Sequence, residues 1–192
     1  MATINLSKNN YLQTQGMILK PTLQQYKKKE TIDGLQIIKY PIFPSEGGDF
    51  AEYVRINEDG VTLGKGDGMF DIKGFTPRQM SRSFMPGGVT KAWHLHTKQN
   101  EIWLPTVGRF ILGFYDNREE SLTKGNKLKI YAGTDNQIAI VIPSGVAHGY
   151  KNIGSSDSLL VYITDQQWDG TDEYRLPWDS KDINFDWEIP NE

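Results

Sequence analysis

From Arg78 onward the chain reads as a train of short segments: RQMSRSF, KAWHLH, EIWLPTV, GRFILGFYD, KLKIYAG, QIAIVIP and SLLVYIT, separated by Gly, Asn, Asp or Pro. Successive side chains of a strand point to opposite faces. In GRFILGFYD, Phe110, Leu112 and Phe114 therefore share one face, and Arg109, Ile111 and Tyr115 the other. No apolar stripe of helical period persists for more than about two turns. Many short strands with turn residues between them predict an all-β antiparallel sandwich or barrel with few or short helices. At 192 residues, with no repeat, linker or compositional break, the chain is sized for one well-buried domain.

Upstream the pattern is weaker. Residues 1–34 are polar and lysine-rich and predict an N-terminal arm, either a strand exchanged with a partner subunit or a partly ordered tail. The lysine run at 27–29 reads as a solvated patch. Residues 35–192 are the domain proper. LQIIKYPIF (35–43) predicts a strand stopped by Pro44 and the Gly47-Gly48 turn, with FAEYVRI (50–56) as its hairpin partner. The glycine-rich stretch 59–75 is expected as a long surface loop. The closing WDSKDINFDWEIPNE is expected to wrap the barrel as irregular chain. The aromatics near this end (Trp168, Tyr174, Trp178, Phe185, Trp187) are read as packing groups, not site residues.

A formal charge of -3 gives no electrostatic reason to expect nucleic acid or an acidic membrane surface as partner. The absence of cysteine excludes disulfides and thiolate ligands and fits a reducing compartment. The first residues lack the basic leader and apolar core of a signal peptide, and no apolar run approaches the roughly 20 residues of a membrane span. A cytoplasmic location is expected.

The chemistry concentrates in two segments that use all three histidines of the chain. Gly88, His94, His96, Glu101 and Gly108 spell G-x5-H-x-H-x4-E-x6-G, and Pro143, Gly145, His148 and Asn152 spell P-x-G-x2-H-x3-N. Residues two apart on a strand share a face, so His94 and His96 are expected to face the barrel interior. Glu101 starts the next strand, and His148 closes the site from another. Three imidazoles and a carboxylate form a first shell for a divalent transition metal, with one or two positions left open for a substrate oxygen. Fe²⁺, Mn²⁺, Ni²⁺ and Co²⁺ suit such a shell, and Zn²⁺ is compatible with it. The competing reading is a polar barrel interior that uses the same side chains for proton transfer.

These segments resemble the metal motifs of the cupin superfamily. The region from about Gly47 to Trp187 more narrowly resembles the dTDP-4-dehydrorhamnose 3,5-epimerase family. That family carries D-x-R-G-x-F-x-E, Q-x-N-x-S-x-S, G-V-x-R-G-L-H-x-Q, I-P-x-G-x-A-H-G-F and D-x-x-x-D-W. SEGGDFAE, QMSRSF, GVTKAWHLH, IPSGVAHGY and DINFDW stand in the same order here. The resemblance implies a jelly-roll barrel of the cupin, RmlC-like kind, a homodimer with exchanged N-terminal strands, and epimerisation beside a 4-keto group. It places His94 at the general base, His148 at the second family histidine and Tyr162 near the general acid. Phe50 and Glu52 fall on the F-x-E that helps hold the nucleotide. Lys91 falls on a phosphate-binding arginine, keeping the charge without the bidentate fork.

The departures from the family pattern carry their own information. His96 replaces a glutamine, Glu101 an active-site lysine, Gly47 the arginine of D-x-R-G, and Trp168 a tyrosine. The family's histidine-orienting aspartate is expected beyond Glu192. The exchanges remove a cation and add two ligands. An imidazole nitrogen bound to a metal cannot also accept a proton, so His94 is expected to be base or ligand, not both.

Three functions follow from these readings. The first is a nucleotide-sugar epimerase or isomerase acting beside the 4-keto group of a dTDP- or CDP-linked deoxyhexose, with a divalent metal in the barrel. The second is a metal-dependent cupin of another chemistry, a dioxygenase or small-molecule isomerase. The third is a non-catalytic sugar-binding cupin. A small-molecule substrate, most naturally a nucleotide-linked sugar in polysaccharide biosynthesis, is the expected partner.

Overall fold

A computed structural model describes residues 30–64 and 70–189. Two five-stranded antiparallel sheets face each other as a jelly roll. Strands are numbered in chain order. The first sheet runs β1 (Gln36–Lys39), β12 (Ile138–Ile142), β9 (Glu101–Val107), β14 (Ser158–Thr164), β7 (Gln79–Met85). The second runs β11 (Lys127–Gly133), β10 (Arg109–Asp116), β13 (Val146–Asn152), β8 (Thr90–Leu95), β15 (Tyr174–Arg175). A hairpin of β2 (Ile42–Ser45) and β3 (Gly48–Ala51) and a small sheet of β4 (Val54–Ile56), β5 (Gly60–Leu63) and β6 (Phe70–Lys73) complete the described residues. Among them there is no helix, and none long and apolar enough to cross a membrane.

Strand alternation divides the apolar residues into three clusters, one inside the barrel and one on the outside of each sheet. On β10, Phe110, Leu112 and Phe114 enter the central core, while Ile111 and Tyr115 turn outward to Trp93, Ala147, Ile183 and Trp187. On β12, Ile138, Ile140 and Ile142 point inward, while Ala139 and Val141 pack beneath Val61, Leu63 and Phe75. The unbroken apolar run of β12 is thus explained by cover on both faces. Residues 177–189 contain no strand, yet Ile183 and Trp187 are buried against Trp93. Gly113 admits this tail, because a Cβ there would stand 2.7 Å from Trp187 and 2.8 Å from Phe185.

Three expectations are corrected upstream of Arg78. The stretch 59–75 is not a surface loop in its described parts. Residues Gly60–Leu63 and Phe70–Lys73 pair as β5 and β6, and Val61 and Leu63 are buried over the first sheet. Its glycines hid the strand period. Residues 35–43 split at Pro41. Gln36–Lys39 joins β12, while Ile42–Ser45, with Pro44 inside it, pairs with Gly48–Ala51. Val54–Ile56 turns to β5 instead of continuing that hairpin. The proposed arm falls mostly outside the described residues, as does the lysine run at 27–29. Residues 30–34, however, already belong to the barrel, because Ile32 is buried in the central core.

The clamp that holds residues 30–34 centres on Asp116, a fully buried carboxylate. It accepts hydrogen bonds from Arg118 Nε (2.8 Å) and Nη2 (2.9 Å), Ser121 Oγ (2.6 Å) and Thr123 Oγ1 (2.6 Å). Arg118 Nη2 also donates to the Asp33 carbonyl at 2.7 Å. Burial opposes the charge, but these donors hold the Asp116 carboxyl well below the ordinary range. Its contribution to stability is therefore full above the unfolded carboxylate pKa and fades as pH falls toward the folded one. Asp116→Ala is expected to lower stability at pH 7 by about 3 kcal/mol, since it strands Arg118. The gap from the parent should narrow below about pH 4 in urea titrations; a gap constant down to pH 2 would refute this account.

Candidate active site

The register of the strands assembles the site. His94 on β8 lies directly opposite His148 on β13, and Arg175 on β15 lies opposite His94 from the other side. In the facing sheet Trp103 pairs with Tyr162, and Glu101 with Thr164, across β9 and β14. His96 follows β8, and its carbonyl accepts the Gly145 amide at 2.7 Å, which ties the turn before His148 to the H-x-H segment. Gly145 adopts φ +81, and a Cβ there would run into Arg118, which gives the glycine of P-x-G its physical reason. Between the sheets lies a cavity of about 420 Å³, whose walls include His94, His96, Glu101, His148, Tyr162 and Lys91.

Three of the four residues read as metal ligands come together. Donor atoms of His96, Glu101 and His148, all buried, lie within 4.8 Å of one another. Glu101 Oε1 is 3.2 Å from His96 Nε2, and Oε2 is 3.7 Å from His148 Nε2. Gln99 Nε2 (2.7 Å) and Trp103 Nε1 (2.5 Å) donate to the two carboxylate oxygens. Burial alone would raise the Glu101 pKa, but His148, His96 and Trp103 hold it down to about 2. The other ring nitrogens face backbone carbonyls. His148 Nδ1 lies 2.9 Å from the Val146 oxygen, and His96 Nδ1 contacts the Asp172 oxygen. A carbonyl only accepts, so each Nδ1 carries the proton and each Nε2 of a neutral ring turns its lone pair toward the Glu101 carboxylate. Lone pairs facing an anion call for a positive species between them, either a proton on His96 Nε2, whose pKa that contact raises, or a bound cation. This is the arrangement of metal-bound histidines, whose second nitrogen donates to an outer carbonyl.

His94 is the exception. It lines the cavity, but it is not in the three-residue group. Arg175 Nη1 donates to His94 Nε2 at 2.9 Å, while His94 Nδ1 stands 3.8 Å from Glu173 Oε1. This fixes a neutral tautomer with the lone pair on Nε2. Burial, followed by the nearby His148 and Arg175, depresses the His94 pKa to about 3. Burial likewise lowers His148, against the pull of Glu101. Burial opposes the charge at His96 as well, but its bond to Glu101 raises its pKa overall.

Tyr162 lines the cavity across from the histidines and is hydrogen-bonded to Ser81; burial raises its pKa. Lys91 Nζ reaches Ser83 Oγ at 2.9 Å in the same wall. Phe50 and Glu52 are not part of this chain's cavity. Phe50 is 59% exposed and tilts against Phe43, and Glu52 pairs with Arg55 at 2.9 Å. Sequence reading missed Glu173, Arg175 and Asp172, which sit in a segment without strand period. The Asp172 carboxylate accepts from the amides of Thr97 (2.7 Å), Lys98 (3.0 Å) and Gln99 (3.0 Å), pinning the turn between His96 and Glu101. Trp168, read as a packing group, lines the cavity and donates to Glu173 Oε2 at 3.0 Å. Trp103 and Tyr150 were legible in principle, lying two residues beyond Glu101 and His148 on the same faces.

Residues 29–192 match the dTDP-4-dehydrorhamnose 3,5-epimerase family. The chain belongs to this family. Its activity class is accordingly that of a sugar-nucleotide epimerase. The spore coat polysaccharide biosynthesis protein SpsL of Bacillus subtilis (strain 168) is 36% identical over 158 residues, spanning 81% of this chain and 96% of that protein. The probable low-salt glycan biosynthesis epimerase Agl13 of Haloferax volcanii is 40% identical over 103 residues, spanning 52% of this chain and 66% of that protein. Among solved structures, a dTDP sugar isomerase from Desulfovibrio desulfuricans G20 superposes with a TM-score of 0.69 at 25% identity, covering 81% of this chain and 92% of the other. The dTDP-6-deoxy-D-glucose-3,5-epimerase RmlC of Legionella pneumophila, solved with dTDP-4-keto-L-rhamnose, gives 0.69 at 20% identity, covering 85% and 84%; at that identity it attests the shared fold.

Proposed function

We propose that this epimerase inverts a carbon beside the 4-keto group of a dTDP- or CDP-linked deoxyhexose used in polysaccharide biosynthesis. The observation that carries the reading is the placement of His94 and Tyr162 on one cavity, with the Nε2 lone pair of His94 facing a guanidinium instead of the ligand cluster. His94 takes the proton from the carbon next to the ketone, and Tyr162 returns one to the opposite face. Solvent exchange resets both groups. Lys91, at the wall formed by Ser83, offers a charge for the diphosphate. Phe50 and Glu52, on or beside a hairpin away from their own cavity, are assigned to the cavity of a second copy in a homodimer. A single-chain mass by sedimentation would remove this last element.

His96, Glu101 and His148 would hold a divalent cation of the Fe, Mn, Ni, Co or Zn group. When bound, such an ion supplies Lewis-acid polarisation of a substrate oxygen. Two histidines and one carboxylate with open positions also suit iron-dependent oxygen chemistry, and this donor set favours the second reading, a cupin oxygenase. One experiment separates the two. The iron-loaded protein is incubated in D₂O with dTDP-4-keto-6-deoxyglucose while oxygen is monitored. Deuterium at a carbon flanking the ketone without oxygen uptake supports the epimerase. Oxygen uptake without label would replace it by the oxygenase.

A further inference from the structure

We infer that Arg175 is a catalytic residue, the cation that receives the enolate oxygen when His94 removes the neighbouring proton. The assignment rests on the epimerase reading. Removing a proton beside a ketone moves the C–H electron pair into a new C=C bond and the carbonyl π pair onto oxygen. The step is feasible only if that oxygen meets a donor or a positive charge. The acidic C–H and the carbonyl sit on adjacent carbons, so the stabilising group has to stand beside the base. Arg175 Nη1, 2.9 Å from His94 Nε2, is such a group. A substrate entering between them would present its C–H to Nε2 and its oxygen to Nη1, replacing the resting hydrogen bond. Tyr162 then protonates the opposite face as the oxygen lone pair collapses back to the ketone.

The guanidinium is held for this task. Glu173 Oε1 accepts Arg175 Nη2 at 2.6 Å, and Trp168 Nε1 fixes the other oxygen of Glu173 at 3.0 Å. One edge of the fork is thereby pinned while Nη1 faces the cavity. The charge is near enough to act electrostatically on His94, His148, Tyr150 and Tyr162. The other two basic side chains in the cavity wall are placed less well. Lys91 Nζ is directed to Ser83 Oγ and the Phe84 carbonyl, and Arg82 is an exposed residue of β7. Sequence reading had no means to find Arg175, because β15 is a two-residue strand that becomes part of the site only by pairing with His94 and Leu95.

The test measures deuterium incorporation from D₂O into dTDP-4-keto-6-deoxyglucose by the full chain and by Arg175→Met, Arg175→Lys and Glu173→Gln. Arg175→Met is expected to lower kcat about 10²- to 10³-fold with little change in KM, the pattern of an interaction made in the transition state. Arg175→Lys should recover part of the loss by restoring the charge without the fork. Glu173→Gln should cost less than Arg175→Met. The Arg175 side chain is 59% exposed, so its truncation opens no core cavity, and matching thermal unfolding of the variants checks this. Exchange by Arg175→Met at the parent rate overturns the assignment and leaves the epimerase reading standing. A loss carried wholly by KM also overturns it. Failure of the parent itself to exchange overturns the reading, and the assignment with it.

Discussion

His94→Gln is expected to reduce deuterium incorporation into a 4-keto sugar nucleotide by about 10³-fold while leaving metal content unchanged. General-base catalysis contributes typically 10² to 10⁴, and glutamine keeps a polar group of similar reach without a basic nitrogen. Unchanged metal follows from geometry, because the ligand atoms that converge belong to His96, Glu101 and His148. The His94 lone pair is directed at Arg175 instead. Two measurements on one variant therefore separate two roles that sequence could only pose as alternatives. Loss of metal in His94→Gln would return the residue to the ligand shell. Retained exchange would transfer the base role to another group. The expected pH behaviour has a definite sign. A His94 pKa near 3 means that the imidazole is already unprotonated at any pH above about 4. A fall in exchange between pH 7 and pH 5 must then come from another group.

The central barrel was readable because both faces of its strands are constrained. Phe110, Leu112 and Phe114 had to share a face, and the structure gives them one core while Ile111 packs into another. The H-x-H, Glu101 and His148 positions were readable for a related reason. Side chains that converge on one point must occupy the inward positions of neighbouring strands, and that period survives in the sequence. What could not be read depended on chain that crosses between elements. The hairpin in residues 59–75 was missed because Val61-Thr62-Leu63 and Phe70–Lys73 alternate only over three or four residues each, set among glycines. Nothing in EYR announced that Arg175 would cap the His94 nitrogen. Phe50 and Glu52 show the converse limit: their motif was visible, but their place outside their own cavity was not. Spacing reports which side chains share a face, whereas the contact that meets the His94 Nε2 joins residues 81 apart in sequence.

Glu101→Gln should abolish binding of a divalent cation and lower stability at pH 7, in a variant that changes almost no volume. The carboxylate joins the site: each oxygen faces one imidazole Nε2 and takes one further donor, from Gln99 or Trp103. An amide can orient its oxygen toward only one of those donors, so its NH₂ must face the other. One buried N–H then loses its acceptor, at a cost of about 2 kcal/mol. The two lone pairs at His96 and His148 also lose the anion that completes a cation site. The parent protein, incubated with Mn²⁺ or Ni²⁺, is expected to bind about one ion per chain and to unfold at higher temperature as the ion concentration rises. Glu101→Gln should show neither response. Acid titration gives an independent check. With the Glu101 pKa held near 2, its stabilising contribution is full above the ordinary carboxylate pKa and is lost as pH falls from about 4 toward 2. The variant should lack that part of the acid dependence. Undiminished metal binding by Glu101→Gln would remove the carboxylate from the shell and overturn this assignment of the ion to His96, Glu101 and His148. Absence of ion binding by the parent protein would leave His96 as the imidazolium partner of Glu101, its pKa already raised by that contact, and the cluster as a buried ion pair beside the cavity.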